Sequence, residues 1–483
     1  MRVARKIAYN VLVSSVSKIA STVLALVSLM FITRYLGVSG FGEYATVLAF
    51  FSFFAALLDL GLYSISTREI SRPGADEEKI MGNIFTLNIV SSLAIIVIAP
   101  ILVLFFPYPQ EVKNAIIIVA GAYLFSTGYQ VLNGVFQKNL AMDRVAIAEL
   151  LGRILQVALT IAAVKLKLDF TWIIASVLFY MIFTFVLVIA WSRKYIRIRP
   201  QFDFIYWKNF LKESYPMGLS AIITFLYFKA DTILLSVMKS SADVGVYNGA
   251  YKVMENITFF PSMLVGLVFP IMAANIFSDR AQFENVSNKT FKVLLVVAIP
   301  LVVGTLFLSQ GIVQLIGGAG FSQSAVVLRI LIFALACIFF SNLSNAILIS
   351  GNLQKKLMTV LAVAAVLNIG ANLILIPRYS YMAAAYMSFL TELFVLVATF
   401  YLVARKLDYF PKLEQIRGIL SAGLVMGLFL YFFHSGGIFS AGLASVSVYL
   451  LALWVFRAVK TSEITSIISR RGGEYEIEEY VPR

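Results

Sequence analysis

Five basic side chains lie inside long apolar stretches of the sequence, where a charge is costly unless it has a role. They are Lys18, Arg153, Lys229, Lys252 and Arg329. A charge at the bilayer centre costs roughly 2.5–3.5 kcal/mol on the insertion scale. Five such charges facing lipid would cost at least about 12 kcal/mol, which exceeds the net stability of many proteins. We therefore expect these side chains to face a water-filled cavity or an acidic partner.

The five cations differ in whether an acidic residue lies close enough in the sequence to pair with them. Lys18 has no carboxylate within four residues, which predicts a cation that borders a cavity. Glu149 and Arg153 are four residues apart, and Lys252 and Glu255 are three apart, so each pair can form an ion pair on one helix face. For these four residues a structural ion pair and a contact with a ligand both stay open.

Two further cations are constrained by their positions. Lys229 lies two residues from Asp231, so the two side chains point to opposite sides of a helix. Arg329 lies near the predicted external end of its helix, where it either contacts a ligand or extends its guanidinium to the interface.

Polar side chains at helical spacing accompany the charges and mark helices that line an interior. The candidate substrate-binding residues are Lys18, Ser14, Ser21, Gln130, Asn133, Arg153, Gln156, Lys252, Asn248, Arg329 and Asn368. Three acidic residues in apolar stretches are candidates for ion coupling or gating, namely Asp231, Glu392 and Asp59. Interior cations and carboxylates roughly balance, so the charge of a substrate does not follow from the count.

The composition requires the elements that position these residues to be membrane helices. Of 483 residues, 60% are apolar and 13% are charged, and the mean hydropathy is +0.89. Soluble domains contain about 45–50% apolar and about 25% charged residues, so that class is excluded. The single cysteine, Cys337, excludes a disulfide framework and a cysteine-based metal site, and the single histidine, His434, excludes most histidine-based catalysis. The sequence predicts an all-α polytopic membrane protein.

Apolar stretches of about 20 residues divide the chain into fourteen predicted helices. They span 9–33, 43–66, 81–106, 113–137, 144–164, 170–192, 213–238, 244–276, 289–316, 325–350, 356–377, 380–404, 417–434 and 438–458. Of the 39 Lys and Arg residues, 28 fall in segments predicted to be cytoplasmic and 6 in external ones. This asymmetry follows the positive-inside rule and predicts a cytoplasmic-membrane protein with both termini in the cytoplasm. The net charge of +14 therefore reflects loops and not nucleic-acid binding.

Short motifs recur at a nearly constant offset and predict two related halves. The matches are Gly42-Glu43-Tyr44 with Gly245-Val246-Tyr247, Pro100 with Pro300, Asn133 with Asn345, and Gln156 with Asn368. A repeat of six helices keeps the same orientation, which predicts two parallel lobes with a substrate site between them. The predicted lobes are 1–200 and 201–408, followed by two extra helices in 409–460 and a polar cytoplasmic tail, 461–483.

The first two helices carry motifs that resemble the polysaccharide-transporter family of Wzx-type O-antigen and teichoic-acid flippases. These are Arg34-Tyr35-Leu36-Gly37, Phe41-Gly42-Glu43-Tyr44, Asp59-Leu60-Gly61-Leu62 and Arg68-Glu69-Ile70, with Asp231 and Val244-Gly245-Val246-Tyr247 in the second half. The wider superfamily includes MATE-type multidrug antiporters and MurJ-type lipid II flippases. The resemblance implies alternating-access export of a polyprenyl-pyrophosphate-linked oligosaccharide, coupled to H⁺, Na⁺ or membrane potential. It also implies that cavity cations such as Lys18 hold the pyrophosphate.

The sequence also leaves two other functions to consider. A MATE-like exporter of organic cations would need a dominant buried carboxylate, a role for Asp231 or Glu392. A membrane glycosyltransferase would need a large loop with acid/base residues, and the predicted external loops have roughly a dozen residues or fewer. We therefore expect a monomeric transporter that is not an enzyme and needs no cofactor beyond a coupling ion. Its expected partners are membrane lipids and the lipid-linked oligosaccharide.

Overall fold

The computed structural model describes residues 2–59, 62–412, 415–433 and 437–458, and the described part is almost entirely helical. The tail 461–483 and His434 lie outside the described residues. The helices are α1 Arg2–Asp59, α2 Leu62–Ile70, α3 Glu77–Leu104, α4 Gln110–Lys138, α5 Met142–Lys165, α6 Phe170–Ser192, α7 Phe204–Met238, α8 Ser241–Ile257, α9 Phe259–Asn275, α10 Arg280–Gly317, α11 Ser324–Ser350, α12 Gln354–Leu407, α13 Ile416–Phe433 and α14 Ile438–Val455. A 3₁₀ turn, Ala319–Phe321, precedes α11.

Twelve helical stretches of the described chain are long and apolar enough to cross a membrane, and two of these are long enough to cross twice. The apolar part of α1 has 46 residues and α12 has 54. At a rise of 1.5 Å per residue, each far exceeds the roughly 30 Å of a hydrocarbon core. Both leave helical geometry in the middle, at Gly37 (φ 67°) and at Ser380 (φ 51°). Divided at these kinks, the described part of the chain has fourteen apolar segments, the number that the sequence predicts.

Two of the predicted helices are each observed as two separate helices. The predicted helix 43–66 ends at Asp59, and the separate short helix α2 follows it. The predicted helix 244–276 is broken into α8 and α9 at Thr258. Pro261 explains this break because it has no N–H to donate to the carbonyl of Ile257.

The helices pack in two groups with α1 between them. Helices α3 to α6 pack on one another and on α1, and α7 packs on α12 while α11 packs on α8, α9, α10 and α12. The lobe boundaries at residues 200 and 408 stay predictions. Helices α13 and α14 pack on each other and on α10, where the Tyr449 hydroxyl donates to the Val296 carbonyl at 3.0 Å.

The two copies of the repeated motif meet where α1 crosses α8. A Cβ atom on Gly42 would lie 1.7 Å from the Ser241 carbonyl oxygen, and one on Gly245 would lie 1.9 Å from the Val38 carbonyl oxygen. Backbone this close leaves no room for any side chain, so only glycine fits at either position. The contact, here called the glycine crossing, lies at the end of the bundle that the sequence predicts to be external.

Candidate substrate cavities and buried carboxylate site

Four cavities lie between the helices that surround α1 and α8, and each is named here after one residue. The Lys18 cavity has about 280 Å³, the Arg153 cavity about 310 Å³, the Lys229 cavity about 540 Å³ and the Asp231 cavity about 20 Å³. Glu255 lines both the Arg153 and the Lys229 cavities, and Tyr251 lines both the Lys229 and the Asp231 cavities. These last three cavities therefore form a row at the predicted interface of the halves, with the Lys229 cavity in the middle.

The Lys18 cavity brings together several residues that the sequence selects. Ser14, Lys18 and Ser21 of α1 line it with Asn133 of α4. Lys18 Nζ lies 5.8 Å from the ring centroid of Phe259, near the outer limit of a cation–π contact. The buried Asn133 Oδ1 has no hydrogen-bond partner among the described residues.

Glu149 of α5, which is distant from Lys18 in the sequence, lines the same cavity. The Glu149–Arg153 ion pair, one of the two alternatives that the spacing leaves open, is not formed in the described part of the chain. Instead, Arg153 Nη1 donates to Gln156 Oε1 at 2.6 Å, and its guanidinium lies 4.7 Å from the Tyr180 ring. Pairing at i, i+4 is worth only about 0.2–0.5 kcal/mol, so tertiary contacts easily override it.

Arg153 and Gln156 face the Arg153 cavity, together with Lys252 from the opposing helix α8. Arg153 Nε is buried without a hydrogen-bond partner among the described residues. A buried donor without a partner is costly, because it has lost its contact with water. The Arg153 guanidinium thus lines the cavity with one of its donors unsatisfied.

One carboxylate lies between two ammonium groups at the boundary of the Arg153 and Lys229 cavities. Glu255 accepts from Lys229 Nζ at 2.6 Å through Oε1 and from Lys252 Nζ at 2.7 Å through Oε2. Lys229 Nζ also lies 4.7 Å from the Tyr251 ring. The Lys252–Glu255 pair confirms the i, i+3 prediction. The group, here called the lysine–glutamate triad, carries a formal charge of +1 and keeps partial access to the cavities.

Side-chain oxygen atoms from α7, α8 and α12 lie close together at the Asp231 cavity. Asp231 is 3% exposed and accepts from the Tyr247 hydroxyl, from Ser388 Oγ at 3.0 Å and from the Thr232 amide at 2.9 Å. Glu392, Asn368 and Thr391 line the same space. Its volume is close to that of one water molecule or one small ion.

Amide groups of α12 extend this site. Asn368 Nδ2 donates to Thr391 Oγ1 at 3.2 Å, and Asn372 Nδ2 donates to Asn368 Oδ1 at 3.0 Å. Asn372 Oδ1 is buried without a partner among the described residues. Carboxylate, hydroxyl and amide oxygens are the ligands that hard cations prefer.

The remaining predicted site residues lie in different surroundings. Gln130 lines the Lys229 cavity. Asn248 is buried, and both ends of its amide already have hydrogen-bond partners within the protein. Its Nδ2 donates to the Val244 carbonyl at 3.0 Å, and its Oδ1 accepts from Thr232 Oγ1. Arg329 is exposed, and its Nε donates to Ser309 of α10 at 2.8 Å. These contacts give Asn248 and Arg329 structural partners away from the triad. The side chain of Asp59 lies outside the described residues.

Sequence reasoning misses two residues of the triad region. Lys229 is not among the candidate site residues, because its partner Glu255 is 26 residues away in another helix. Tyr251 gives no signal, since aromatic residues are common throughout the chain. The only available hint is the cost of an unpaired lysine in an apolar stretch.

Comparisons with known proteins identify related families and one related protein. Residues 7–276 match the polysaccharide biosynthesis protein family, and residues 216–374 match the MatE family. The capsular polysaccharide biosynthesis protein CapF of Staphylococcus aureus is 21% identical over 300 residues, which cover 60% of this chain and 75% of that protein.

Two groups of solved structures share the fold. A structure of the lipid II flippase MurJ in an inward closed conformation matches with a TM-score of 0.76 and 16% identity, over 94% of this chain and 100% of that one. An inward-facing MATE-family multidrug resistance transporter matches with a TM-score of 0.66 and 15% identity, over 82% and 98% of the two chains. Since the first family model matches more than half of the sequence, this chain belongs to the polysaccharide biosynthesis protein family, and it shares its fold with the lipid II flippase MurJ and with a MATE-family transporter of the MOP superfamily.

Proposed function

We propose that this transporter is a flippase for a polyprenyl-pyrophosphate-linked oligosaccharide. The observation that carries the proposal is the lysine–glutamate triad, a net positive group between the Arg153 and Lys229 cavities inside an apolar bundle. A pyrophosphate leaves water only where fixed positive charge replaces its hydration. Lys229, Lys252 and Arg153 supply that charge.

The surrounding walls suit a glycan. Ser28, Gln156 and Asn256 line the Arg153 cavity, and Gln130 and Thr224 line the Lys229 cavity. Amide and hydroxyl groups of this kind satisfy the hydrogen bonds of sugar hydroxyls. The two larger cavities fall within the range of about 300–1,000 Å³ that is typical of small-molecule sites.

The Asp231 cavity is the proposed site of the coupling ion, H⁺ or Na⁺. Asp231 accepts from the hydroxyl of Tyr247, which is two residues from Gly245 in the glycine crossing. Occupation of the carboxylate therefore changes the contacts of the helix that closes the bundle at this end. Asn368, Ser388 and Thr391 supply the remaining oxygen atoms.

The proposed arrangement in the cell is a monomer in the cytoplasmic membrane with both termini in the cytoplasm. The excess of Lys and Arg in alternate connections supports this orientation. Reporter fusions at residues 200 and 460 would both be active in the cytoplasm. Activity of either fusion on the external side would reverse the proposed orientation.

The function is tested with purified protein in proteoliposomes that contain a fluorescent polyprenyl-pyrophosphate disaccharide. Flipping is measured as the fraction of probe that a membrane-impermeant quencher reaches. We expect transport by the wild type and at least a tenfold loss in Lys252→Gln, with Lys355→Gln as the control at an exposed lysine outside the cavities. A wild-type protein that leaves the probe in place would refute the proposal.

A MATE-like export of organic cations is the second candidate. The buried carboxylates Asp231 and Glu392 favour it, as does the MatE match over residues 216–374. The same vesicles, loaded with ethidium in place of the lipid probe, distinguish the two functions. Gradient-driven ethidium transport without flipping would establish the second candidate.

A further inference from the structure

The connection between α6 and α7 is held against the helix bundle by hydrogen bonds from its own backbone amides. Residues 193–212, here called the strap, include this connection and the first residues of α7. The Gln201 amide donates to Thr86 Oγ1 at 3.0 Å, and the Asp203 amide donates to Asn83 Oδ1 at 3.0 Å. Both acceptors belong to α3, so the strap is held in one place on the helix bundle.

Close packing reinforces these hydrogen bonds. A Cβ atom on Gly82 would lie 2.4 Å from the Arg199 carbonyl oxygen, so the strap backbone lies directly on α3. Three side chains of the strap itself, Ile196, Trp207 and Phe210, are buried against the bundle. The side chains that remain on its outer side are therefore presented by an ordered backbone.

The outer side of the strap is strongly basic. Its exposed cations are Arg193, Lys194, Arg197, Arg199, Lys208 and Lys212. The nearby carboxylates are already engaged, because Asp203 accepts from the Tyr206 amide at 2.9 Å and Glu213 pairs with Arg68 at 2.6 Å. Among the described residues, none of the six cations forms an ion pair within the strap or with its neighbours.

Large apolar side chains are exposed beside these cations. Phe202 is 66% exposed, Phe204 is 71% exposed and Ile205 is 77% exposed. Basic and aromatic side chains together are typical of surfaces that lie at the level of lipid headgroups. Clusters of four to eight Lys or Arg next to a transmembrane helix attract anionic lipids.

We propose that the strap binds anionic phospholipid headgroups at a site separate from the substrate cavities. Arg197, Arg199 and the other strap cations contact the lipid phosphates, and Phe204 and Ile205 enter the boundary of the acyl chains. A zwitterionic lipid supplies the same phosphate but adds a positive charge, which six unpaired cations repel. The site therefore selects phosphatidylglycerol over phosphatidylcholine.

Native mass spectrometry of the full chain, released from nanodiscs of equal phosphatidylglycerol and phosphatidylcholine, tests the proposal. We expect the wild type to retain phosphatidylglycerol preferentially. Arg197→Gln/Arg199→Gln should weaken the retention of phosphatidylglycerol roughly 10- to 30-fold. This follows because each basic residue near an anionic surface contributes its own attraction, and two are removed. Arg197→Lys/Arg199→Lys should keep it, since the charge is unchanged.

Two control variants distinguish binding at the strap from a general effect of positive charge. Lys355→Gln/Lys356→Gln removes the same charge from exposed positions at the start of α12 and should leave retention unchanged. Phe204→Ser/Ile205→Ser keeps every cation and should also reduce retention, because the apolar contact with the acyl chains is lost. Millimolar glycerol phosphate should not displace the lipid.

Three results would overturn the proposal. Retention of phosphatidylglycerol by Arg197→Gln/Arg199→Gln at the wild-type level would exclude the strap as the site. An equal loss in Lys355→Gln/Lys356→Gln would show that net charge alone is sensed. Displacement by glycerol phosphate would identify a site for soluble phosphates. None of these measurements depends on transport, so lipid binding at the strap can fail while the proposed function stands.

Discussion

Adding one methyl group at the glycine crossing should prevent the bundle from closing at its predicted external end. In Gly245→Ala the new Cβ meets the Val38 carbonyl oxygen at 1.9 Å, and in Gly42→Ala it meets the Ser241 carbonyl oxygen at 1.7 Å. Both neighbours are backbone atoms, so no side-chain rotation relieves the contact. Either substitution forces α1 and α8 apart.

The size of the effect follows from the distances. Ordinary contact begins at about 3.4 Å, so the two helices must separate by about 1.5 Å. Overpacking of this kind costs typically about 1–3 kcal/mol. Applied to the equilibrium between closed and open crossings, this cost changes their ratio by roughly 5- to 150-fold. The closed state loses population and the cavities become accessible from the predicted external side.

Thiol labelling measures this accessibility. The native Cys337 is buried and is replaced by alanine, and Asn256→Cys places a single thiol in the Arg153 cavity. A membrane-impermeant maleimide added outside intact cells should label this thiol at least fivefold faster in Gly245→Ala. Gly266→Ala is the matched control, since a Cβ there meets no atom within 4 Å.

Labelling of Gly245→Ala at the rate of the Gly266→Ala control would refute the reasoning. It would mean that α1 and α8 do not seal the cavities at this end. Gly42→Ala disturbs the same contact from the other helix, so its labelling rate is an independent test. Unfolding is monitored by the thermal midpoint, which should fall by no more than a few degrees in the labelled variants.

Three further substitutions address individual groups of the interior. Lys18→Ala should abolish transport of the lipid-linked probe while membrane insertion stays normal, and unchanged transport would remove Lys18 from the substrate site. Asp231→Asn should make transport independent of an imposed H⁺ or Na⁺ gradient, and retained dependence would exclude Asp231 as the coupling carboxylate. Glu255→Gln should lower the free energy of unfolding by roughly 1–3 kcal/mol, because two ammonium groups lose their acceptor. Lys252→Gln leaves the Lys229–Glu255 pair intact and should change that free energy much less, and an equal loss in both variants would contradict the triad.

The sequence alone determined the class of the protein and the number of its apolar segments. Hydropathy and segment length are local properties, and a bilayer accepts only helices of about 20 apolar residues. The Lys252–Glu255 pair was predictable for the same reason, since both residues lie on one turn of one helix. The sequence also showed the repeated glycine motif, but it did not show that the two copies contact each other at the glycine crossing.

Tertiary structure decided which of these residues meet. Glu255 binds Lys229 across 26 residues, and Arg153 turns to Gln156 and Tyr180 in place of Glu149. Asp231 shares its cavity with Glu392 and Asn368, which lie more than a hundred residues further along the chain. The rotation of each helix about its axis selects the side chains that face the interior. That rotation is set by close packing against helices distant in sequence, as at Gly42 and Gly245, and no local pattern encodes it.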